Sequence, residues 1–343
     1  MEIDYETIVG RREVSLDFMG VLDAGFGKER VLVTGAGGSI GSQIAERLAS
    51  IPGVDLLATD RDENRLHSLS LRVQGTALFN SALFSVVDVR DKQGLLNVIS
   101  GFQPTLVIHA AALKHLAILE RQPREAYLTN VLGTQNVLDA AKHIGVERFL
   151  NISTDKAARP TSIRGKSKLI AEMMTAASRE EGFGGYTSVR FGNVFNSKGS
   201  VIETFVNQIE NNLPVTLTDK SVTRYFMKIS EAANLSLLAS IINAGDVHIL
   251  EMGQPVLLME IIQRLGDHLG KEYSLIEVGL REGEKLHEEL TSKKEKLKKT
   301  SFEKVNYLNL DLNRAHVPHY DDVAYNDRDA TQIIERSLKL ING

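Results

Sequence analysis

From Arg30 onward the chain alternates short apolar runs with amphipathic segments, and this alternation constrains the fold more than any other feature. The apolar runs include RVLVTG, DLLATD, LFSVVDV, TLVIHAA and RFLNIS, and segments with helical periodicity lie between them. Strands that are apolar throughout are typical of parallel sheets whose two faces are both covered by helices. The pattern therefore predicts an α/β protein built on a doubly wound parallel sheet.

The alternation becomes irregular after TSVRFGN, where Gly, Asn and Pro interrupt it. We expect residues 28–195 to form the main domain, with residues 228–265 returning to it. Residues 196–227 and 266–343 are predicted to form a smaller, partly interleaved carboxy-terminal lobe. The first 27 residues are expected to be an arm that packs on the main body.

The first predicted strand ends in a glycine-rich turn, TGAGGSIG, and a helical pattern follows at once. Glycines in this turn allow a tight bend, a close approach of backbone N–H groups to a pyrophosphate and close packing of the helix on the strand. Asp60 ends the second strand, 19 residues after Gly41, where its carboxylate can accept hydrogen bonds from an adenosine ribose. Together these features predict a Rossmann dinucleotide site. The backbone expected to surround the pyrophosphate is that of Gly35, Gly38, Ser39, Ile40 and Gly41.

The identity of the dinucleotide depends on two adjacent residues. Asp60 would repel a 2′-phosphate and so favours NAD, whereas Arg61 could pair with that phosphate and would favour NADP. We expect NAD, with NADP as the alternative. Residues at the ends of the third and fourth strands are expected to contact the cofactor as well: Asp88, Val89, Ala110 and Ala111.

Eight motifs follow one another along the chain: TGAGGSIG, DVRD, HAAALKH, TNVLGT, NISTDKAARPT, VRFGNV, TRYFM and REGEKLHEEL. Through them, the sequence resembles nucleotide-sugar 4,6-dehydratases of polysaccharide biosynthesis, within the extended short-chain dehydrogenase/reductase superfamily, from about residue 8 to 292. The resemblance implies oxidation of C4 of the sugar by bound NAD(P)+, removal of the C5 proton, loss of the C6 hydroxyl and return of the hydride to C6. Larger relatives carry an amino-terminal membrane region, and this chain is expected to correspond to their soluble catalytic part.

The resemblance assigns chemistry to the Thr154-Asp155-Lys156 sequence. Asp155 would be the acid that assists departure of the C6 hydroxyl, and Lys156 the base at C5. Such a pair is needed because hydroxide is a poor leaving group and the C5 proton is removable only beside the new ketone. Outside this motif, the same three residues could equally be a helix cap with a surface ion pair.

The chain departs from the superfamily pattern at the base for the hydroxyl that is oxidised. A Tyr-x-x-x-Lys helix supplies that base in the wider superfamily, but this chain reads RGKSK from Arg164 to Lys168. Because residues four apart share one face of a helix, Lys168 can still bind the nicotinamide ribose. The guanidinium of Arg164 stays protonated and has no acceptor lone pair, so it cannot be the base.

Four interpretations of this departure stay open. In the first, Asp155, Lys156 or Lys168 with Thr154 relays the C4 proton. In the second, Arg164 binds an anionic group on an unusual substrate. In the third the active site is impaired, and in the fourth Arg164 is turned outward on the surface of its helix.

The resemblance also assigns residues to the substrate. Asn193 would bind the diphosphate or the sugar, and Arg224 and Arg281 would supply the positive charge that a buried pyrophosphate needs. Glu284 could accept hydrogen bonds from ribose hydroxyls, and Lys114 is a further candidate for a substrate contact. The expected substrate is UDP-N-acetylglucosamine or a related UDP-sugar.

Composition limits the other functions. A net charge of -4 gives no long-range attraction for nucleic acid or anionic membrane, and no partner of either kind is expected. Because cysteine is absent and the nine histidines are scattered, neither a disulfide framework nor a metal site is expected. No export or anchor signal is evident, so a cytoplasmic homo-oligomer is expected, the oligomer from the resemblance alone. A nucleotide-sugar epimerase and a catalytically silent binder of NAD or nucleotide sugar stay as alternatives.

Overall fold

The computed structural model describes residues 3–12, 19–76, 83–312 and 324–342. The α-helices are α1 (Tyr5–Val9), α2 (Met19–Phe26), α3 (Ser39–Ala49), α4 (Glu63–Gln74), α5 (Lys92–Phe102), α6 (Leu116–Arg121), α7 (Pro123–Ala126), α8 (Gly133–His143), α9 (Ile163–Glu180), α10 (Val201–Glu210), α11 (Ile229–Ile242), α12 (Leu258–Leu269) and α13 (Asp327–Asn342). A π-helix (Tyr127–Leu132) joins α7 to α8, and a 3₁₀ turn is formed by Asp155–Ala157. The strands are β1 (Arg30–Thr34), β2 (Asp55–Asp60), β3 (Phe84–Val86), β4 (Leu106–His109), β5 (Arg148–Ile152), β6 (Gly185–Arg190), β7 (Asn193–Val194), β8 (Val215–Leu217), β9 (Thr223–Arg224), β10 (Phe226–Met227), β11 (Val247–Leu250), β12 (Val256–Leu257), β13 (Leu275–Glu277), β14 (Lys298–Lys299) and β15 (Val305–Leu308).

Nine strands of the described residues form one sheet, in the order β14-β15-β11-β6-β5-β4-β1-β2-β3. The seven strands from β11 to β3 in that order run parallel, whereas β15 pairs antiparallel with β11 and β14 with β15. The central strands are buried almost throughout, as their apolar sequences require. The order 3-2-1-4-5-6 is that of a doubly wound dinucleotide-binding fold, which confirms the predicted fold class.

Helices cover the sheet on both faces. Buried side chains of α2, α3, α4 and α11 form one apolar cluster with the strands. Those of α5, α8, α9 and α13 form a second cluster on the opposite face. Strands that are apolar throughout require helices on both faces of the sheet, because both faces must be buried away from water.

The lobe has a smaller core of its own, and its boundaries differ from those predicted. This core combines side chains of α1, α10 and α12 with those of β8. Residues 256–269 therefore belong to the lobe, and within the segment 228–265 it is α11 and β11 that return to the main domain. Within the segment 266–343, β14 and β15 extend the main sheet and α13 packs on α9. The apolar strand at Val305–Leu308 pairs with the free edge of β11, an event that local sequence patterns do not predict.

The described residues of the predicted arm contact both the main domain and the lobe. Residues 1–2 and 13–18 of that arm lie outside the described residues. The hydroxyl of Tyr5 donates to the carbonyl of Phe226 at 3.0 Å. Arg11 pairs at 2.6 Å with Glu231, whose side chain is fully buried on α11. None of the described helices has the length and apolar character that a membrane crossing requires.

A buried ionic cluster joins β6, α9 and the segment around residue 295. Arg190 ends β6, and its guanidinium donates to both carboxylate oxygens of Glu172 on α9, at 2.8 and 2.6 Å. Glu295 pairs with the same guanidinium at 2.9 Å, and the hydroxyl of Ser153 donates to Glu172 at 2.5 Å. Burial of charges is costly unless each is closely paired and hydrogen-bonded, so these four groups depend on one another.

The Arg190→Met substitution tests this dependence. It leaves the carboxylate of Glu172 buried without its cation, so we expect the free energy of unfolding to fall by about 3–5 kcal/mol in urea denaturation. The control is Arg159→Met, which removes an arginine that pairs with Glu289 at 2.8 Å where both side chains are largely exposed. That change should cost less than about 1 kcal/mol. Equal losses in the two variants would contradict a special role for the buried cluster.

Candidate active site

The carboxyl ends of the central strands open into a cleft of about 670 Å³ that most of the predicted site residues line. Strand β5 leads directly into residues 153–156, and β6 leads into residues 191–193. Because parallel strands all end at one edge of the sheet, segments far apart in sequence meet here. The predicted residues that line the cleft are Gly38, Ser39, Ile40, Gly41, Arg61, Ala110, Lys114, Thr154, Lys156, Arg164, Lys168, Asn193, Arg224, Arg281 and Glu284.

The glycine-rich turn between β1 and α3 has the form that a pyrophosphate site needs. Gly35 has a φ of 67°, and a Cβ atom there would lie 2.5 Å from the backbone nitrogen of Ala111. A side chain at Gly41 would overlap the carbonyl oxygen of Gly35. No side chain caps the first turn of α3, so its N–H groups remain available to an anion at the positive end of the helix dipole. Gly35 and Ala111 therefore shape the turn without lining the cleft.

Asp60 is fixed against this turn. One of its carboxylate oxygens accepts a hydrogen bond from the backbone nitrogen of Gly37 at 2.9 Å, and the other accepts one from Asp62 at 3.0 Å. The next residue, Arg61, places a guanidinium nitrogen 3.9 Å from the carboxylate of Asp88. The guanidinium of Arg61, which could have paired with a 2′-phosphate, therefore lies near the carboxylate of Asp88.

The predicted adenine contacts lie apart from the main cleft. Asp88 lines a neighbouring groove of about 1040 Å³, together with Arg61. Burial would favour its neutral acid, but hydrogen bonds from Arg90 and the charge of Arg61 hold the pKa of Asp88 below its usual value. Val89 is buried and packs toward Gly133, so its side chain does not line either space.

Thr154, Asp155 and Lys156 form a buried hydrogen-bonded unit at the end of β5. The hydroxyl of Thr154 donates to one carboxylate oxygen of Asp155 at 2.8 Å, and the ammonium of Lys156 donates to the same oxygen at 3.1 Å. Thr154 also caps the 3₁₀ turn by accepting from the backbone nitrogen of Lys156. Asp155 is fully buried and does not line the cleft, whereas the two residues beside it do. Since all three are buried, they do not form the surface ion pair that the sequence also allowed.

The surroundings of Asp155 favour the ionised form of its carboxyl. Burial alone would raise its pKa, but the charge of Lys156 and the hydrogen bond from Thr154 together hold the pKa of Asp155 below its usual value. Its second oxygen, Oδ2, has no hydrogen-bond partner among the described residues. This oxygen can therefore accept a proton, and Asp155 can act as a donor only after it has been protonated.

Lys168 and Arg164 lie one helical turn apart on α9, and both line the cleft. The ammonium of Lys168 donates to the side-chain oxygen of Asn151 at 3.2 Å. Burial lowers the pKa of Lys168 to about 8, with Glu172 opposing the shift and Arg164 adding to it. The interpretation that Arg164 turns outward on the helix surface is wrong, because its side chain faces the same cleft as Lys168.

The predicted nucleotide residues gather on the lobe side of the cleft. Arg224 is held by Glu284 at 3.0 Å and donates to the carbonyl oxygens of Thr223 and Leu286. Glu284 is therefore engaged by an arginine in this structure, while Arg281 is exposed at the cleft.

Two further residues of the site and its surroundings were not predicted from the sequence. Glu288 is buried, lines the cleft and lies 3.5 Å from the ammonium of Lys156. Asn130, in the π-helix, accepts from the backbone nitrogen of Leu113 at 2.8 Å and donates to Ser167 at 3.1 Å, so it fixes the loop that carries Lys114. Both belong to recognised motifs, REGEKLHEEL and TNVLGT, but nothing in the spacing of either motif singles them out.

A family model described as "Polysaccharide biosynthesis protein" matches residues 31–309. This match covers most of the chain, including the sheet, the cleft and the Thr154-Asp155-Lys156 unit. The chain belongs to the polysaccharide biosynthesis protein family. The membership of a polysaccharide biosynthesis family, which its motifs indicated, is thereby confirmed.

Relatives of this polysaccharide biosynthesis protein include the capsular polysaccharide biosynthesis protein CapD of Staphylococcus aureus, 38% identical over 93% of this chain and 53% of its own length. The probable polysaccharide biosynthesis protein EpsC of Bacillus subtilis is 36% identical over 89% of this chain and 52% of its own length. The chain thus spans about half the length of these relatives. A UDP-glucose 4-epimerase of Rickettsia rickettsii is 33% identical over 80% of each chain.

Two solved structures share the fold. Pen from Bacillus thuringiensis is 32% identical and superposes with a TM-score of 0.69, covering 78% of this chain and 84% of its own. The UDP-glucose 4-epimerase of Thermus thermophilus in complex with NAD is 25% identical, with a TM-score of 0.66 over 76% of this chain and 90% of its own. Family and fold are therefore established, and the reaction is not decided by them.

The lowered pKa of Lys168 predicts how stability changes with pH. Between pH 8 and 10.5 the unfolded chain holds a proton on this lysine that the folded protein has lost, so its contribution to folding becomes more favourable as pH rises. We expect the unfolding free energy of the wild type to gain about 2 kcal/mol relative to Lys168→Met between pH 7.5 and 9.5. Urea denaturation of both proteins at three pH values measures the difference. If the unfolding free energies of the wild type and Lys168→Met change with pH in the same way, the lowered pKa of Lys168 is contradicted.

Proposed function

We propose that this protein is a nucleotide-sugar 4,6-dehydratase that acts on UDP-N-acetylglucosamine or a related UDP-sugar with tightly bound NAD. The observation that carries the proposal is the buried Thr154-Asp155-Lys156 unit at the mouth of the cleft. It supplies a proton acceptor that can become a donor, and next to it an amine that can act as a base. Elimination across C5 and C6 requires both.

The residues that line the cleft, together with Asp60 behind the glycine-rich turn, fit a dinucleotide. The uncapped first turn of α3 would hold the pyrophosphate, Asp60 the adenosine ribose and Lys168 the nicotinamide ribose. Bound in this way, NAD+ would accept a hydride from C4 of the sugar and return it to C6. The position of Asp60 and the carboxylate of Asp88 beside Arg61 favour NAD over NADP. The solved epimerase of Thermus thermophilus, which is described in complex with NAD, supports the same choice.

Thr154 and Asp155 can accept the proton of the C4 hydroxyl. In the wider superfamily this is the task of a tyrosine, and this chain has Arg164 at that position. Thr154 lines the cleft and donates to the ionised Asp155, so a proton taken up by the threonine oxygen releases its own proton to the aspartate. Asp155 is then a neutral acid, and the same route can return the proton to the C6 hydroxyl as the C6–O bond breaks and water leaves. One proton therefore leaves C4 and departs with the water, and Asp155 ends as it began.

Lys156 can remove the C5 proton. Its nitrogen lies in the cleft between Asp155 at 3.1 Å and Glu288 at 3.5 Å. The amine must be neutral to act as a base, and Glu288 is close enough to take the proton of the ammonium. Lys156 then returns the C5 proton to the same carbon after the double bond has formed. Over a full cycle the protein therefore neither gains nor loses a proton.

A nucleotide-sugar epimerase is the second candidate, because the Rickettsia relative described as a UDP-glucose 4-epimerase is 33% identical over 80% of both chains. An epimerase would share the oxidation at C4 and would return the hydride to the same carbon. It needs no base at C5 and no acid at C6. The presence of Lys156 and Asp155 with Thr154 favours dehydration.

The cofactor is tested by the Gly41→Ala substitution. A side chain at Gly41 overlaps the carbonyl of Gly35 and would displace the first turn of α3, so we expect protein purified with this change to retain less than about a tenth of the NAD of the wild type. NAD is measured by absorbance and chromatography after denaturation. The control is Gly101→Ala in α5, where a Cβ meets nothing within 4 Å. If neither the wild type nor the control releases a nicotinamide nucleotide, tight binding is wrong.

The reaction is tested by incubation with UDP-N-acetylglucosamine and mass spectrometry of the product. We expect the wild type to give a product lighter by one water without added NAD. Asp155→Asn and Thr154→Val should each slow this loss by about 10²–10⁴-fold, because each interrupts the proton route. Thr154→Ser should restore most of the rate, since it keeps the hydroxyl.

The control for these variants is Asp139→Asn, which changes a carboxylate that pairs with Lys92 on the surface, away from the cleft. Its rate should equal that of the wild type. An unchanged product mass with an inverted sugar, seen by NMR, would establish an epimerase instead. Full activity of Thr154→Val would contradict the proton route while leaving the dehydratase in place.

A further inference from the structure

The guanidinium of Arg164 differs from the other buried arginines of the described residues. Arg190, Arg224 and Arg11 are each paired with a carboxylate. Arg164 lines the cleft, yet no residue of the described part of the chain forms a hydrogen bond or an ion pair with its side chain. Burial lowers the pKa of Arg164, and Asp155 and Glu288 oppose this shift only through space. A partly buried cation without a partner is costly for the protein alone.

Two neighbouring cations, Lys114 and Lys168, add to this cost. The ammonium of Lys114 donates to the carbonyl of Lys198 at 2.6 Å and lies 3.5 Å from the hydroxyl of Ser197, both neutral acceptors. Burial and the neighbouring charge of Arg164 lower the pKa of Lys114, and Arg164 also acts on Lys168. Three cations therefore share one part of the cleft, and none of them is in direct contact with a carboxylate of the described residues. An anionic ligand there would relieve their mutual repulsion.

The position of Arg164 indicates which part of a ligand carries that negative charge. The first turn of α3 offers the site for the cofactor pyrophosphate, and Arg281 on the lobe faces the expected nucleotide diphosphate. Arg164 lies instead one helical turn from Lys168, close enough to Asp155 and Glu288, the two carboxylates that flank Lys156, for their charges to act on it. The proton-transfer groups must face the sugar ring, so a group bound by Arg164 belongs to the sugar.

We infer that Arg164 binds a carboxylate carried by the sugar, and that the substrate is an anionic nucleotide sugar. The inference rests on the proposed function and makes its substrate class narrower. A guanidinium matches the two oxygens of a carboxylate with two parallel hydrogen bonds, which makes it selective for this group. Because dehydration consumes the C6 hydroxyl, C6 cannot itself be the carboxylate. The acid must lie on a substituent at C2 or C3.

The test compares the binding of three probes by calorimetry: UDP, UDP-N-acetylglucosamine and UDP-N-acetylmuramate. The last two differ only in a carboxylate-bearing ether at C3, and both keep the C6 hydroxyl. We expect the wild type to bind UDP-N-acetylmuramate at least about tenfold more tightly than the neutral sugar, as one charge-assisted pair predicts. Arg164→Met should remove this preference and leave the affinity for UDP within about twofold of the wild type.

The matched control is Lys166→Met, which removes a positive charge from the same helix. Lys166 pairs with Glu335 and does not line the cleft, so this variant should keep the wild-type preference. Arg164→Lys keeps the charge without the paired donors and should retain only part of the preference. Circular dichroism and urea denaturation establish that each variant is folded before binding is measured. If Arg164→Met does not fold, the affinities of the wild type are compared with those of Arg164→Lys instead.

Three outcomes would overturn the inference. Equal affinity of the wild type for the two sugars would mean that no sugar carboxylate is recognised. A parallel loss of affinity for UDP in Arg164→Met would assign the arginine to the diphosphate. Retention of the full preference in Arg164→Met would assign the recognition to another residue. Binding is measured apart from water loss, so failure of both sugars to lose water would count against the dehydratase and not against the carboxylate contact.

Discussion

The buried pairing of Arg190 with Glu172 holds together the segments from which the active site is built. Arg190 ends β6, Glu172 lies on α9 beside Lys168, and Glu295 brings the segment after REGEKLHEEL against both. Ser153, the residue before the Thr154-Asp155-Lys156 unit, donates to Glu172. Buried charges that satisfy one another in this way permit few alternative arrangements. The Thr154-Asp155-Lys156 unit is therefore positioned by a cluster of which Arg190, Glu172 and Glu295 do not line the cleft.

Charge in the cleft is distributed unevenly, and under the proposed function this distribution replaces the superfamily tyrosine. Lys156 lies between two carboxylates, those of Asp155 and Glu288. These groups are close enough to exchange protons, and Thr154 connects them to the cleft. Arg164, on the helix near this unit, contacts no carboxylate of the described residues. In the proposed reaction, the helical position of the usual base therefore recognises the substrate, and the C4 proton leaves through Thr154.

The parts of the site that could be predicted are those whose chemistry is local in sequence. The glycine-rich turn, Asp60 and Lys168 were predicted because a strand, a tight turn and a helix specify them within a few residues of one another. The domain boundaries and Glu288 could not be predicted in the same way. Glu288 acquires its role only when the lobe brings it to Lys156, and β15 belongs to the main sheet only because the edge of β11 is free.

The sequence by itself determined that the chain is an α/β protein with a dinucleotide-type turn, and its motifs indicated the family. It also determined that the residue four positions before Lys168 is Arg164 and not a tyrosine, and that these two residues share a helical face, because both facts follow from spacing. Only the tertiary structure decided that this face lines the cleft, that Asp155 is buried in surroundings that favour its ionised form, and that Arg164 has no partner among the described residues. Burial and charge pairing depend on segments distant in sequence, so no local pattern can fix them.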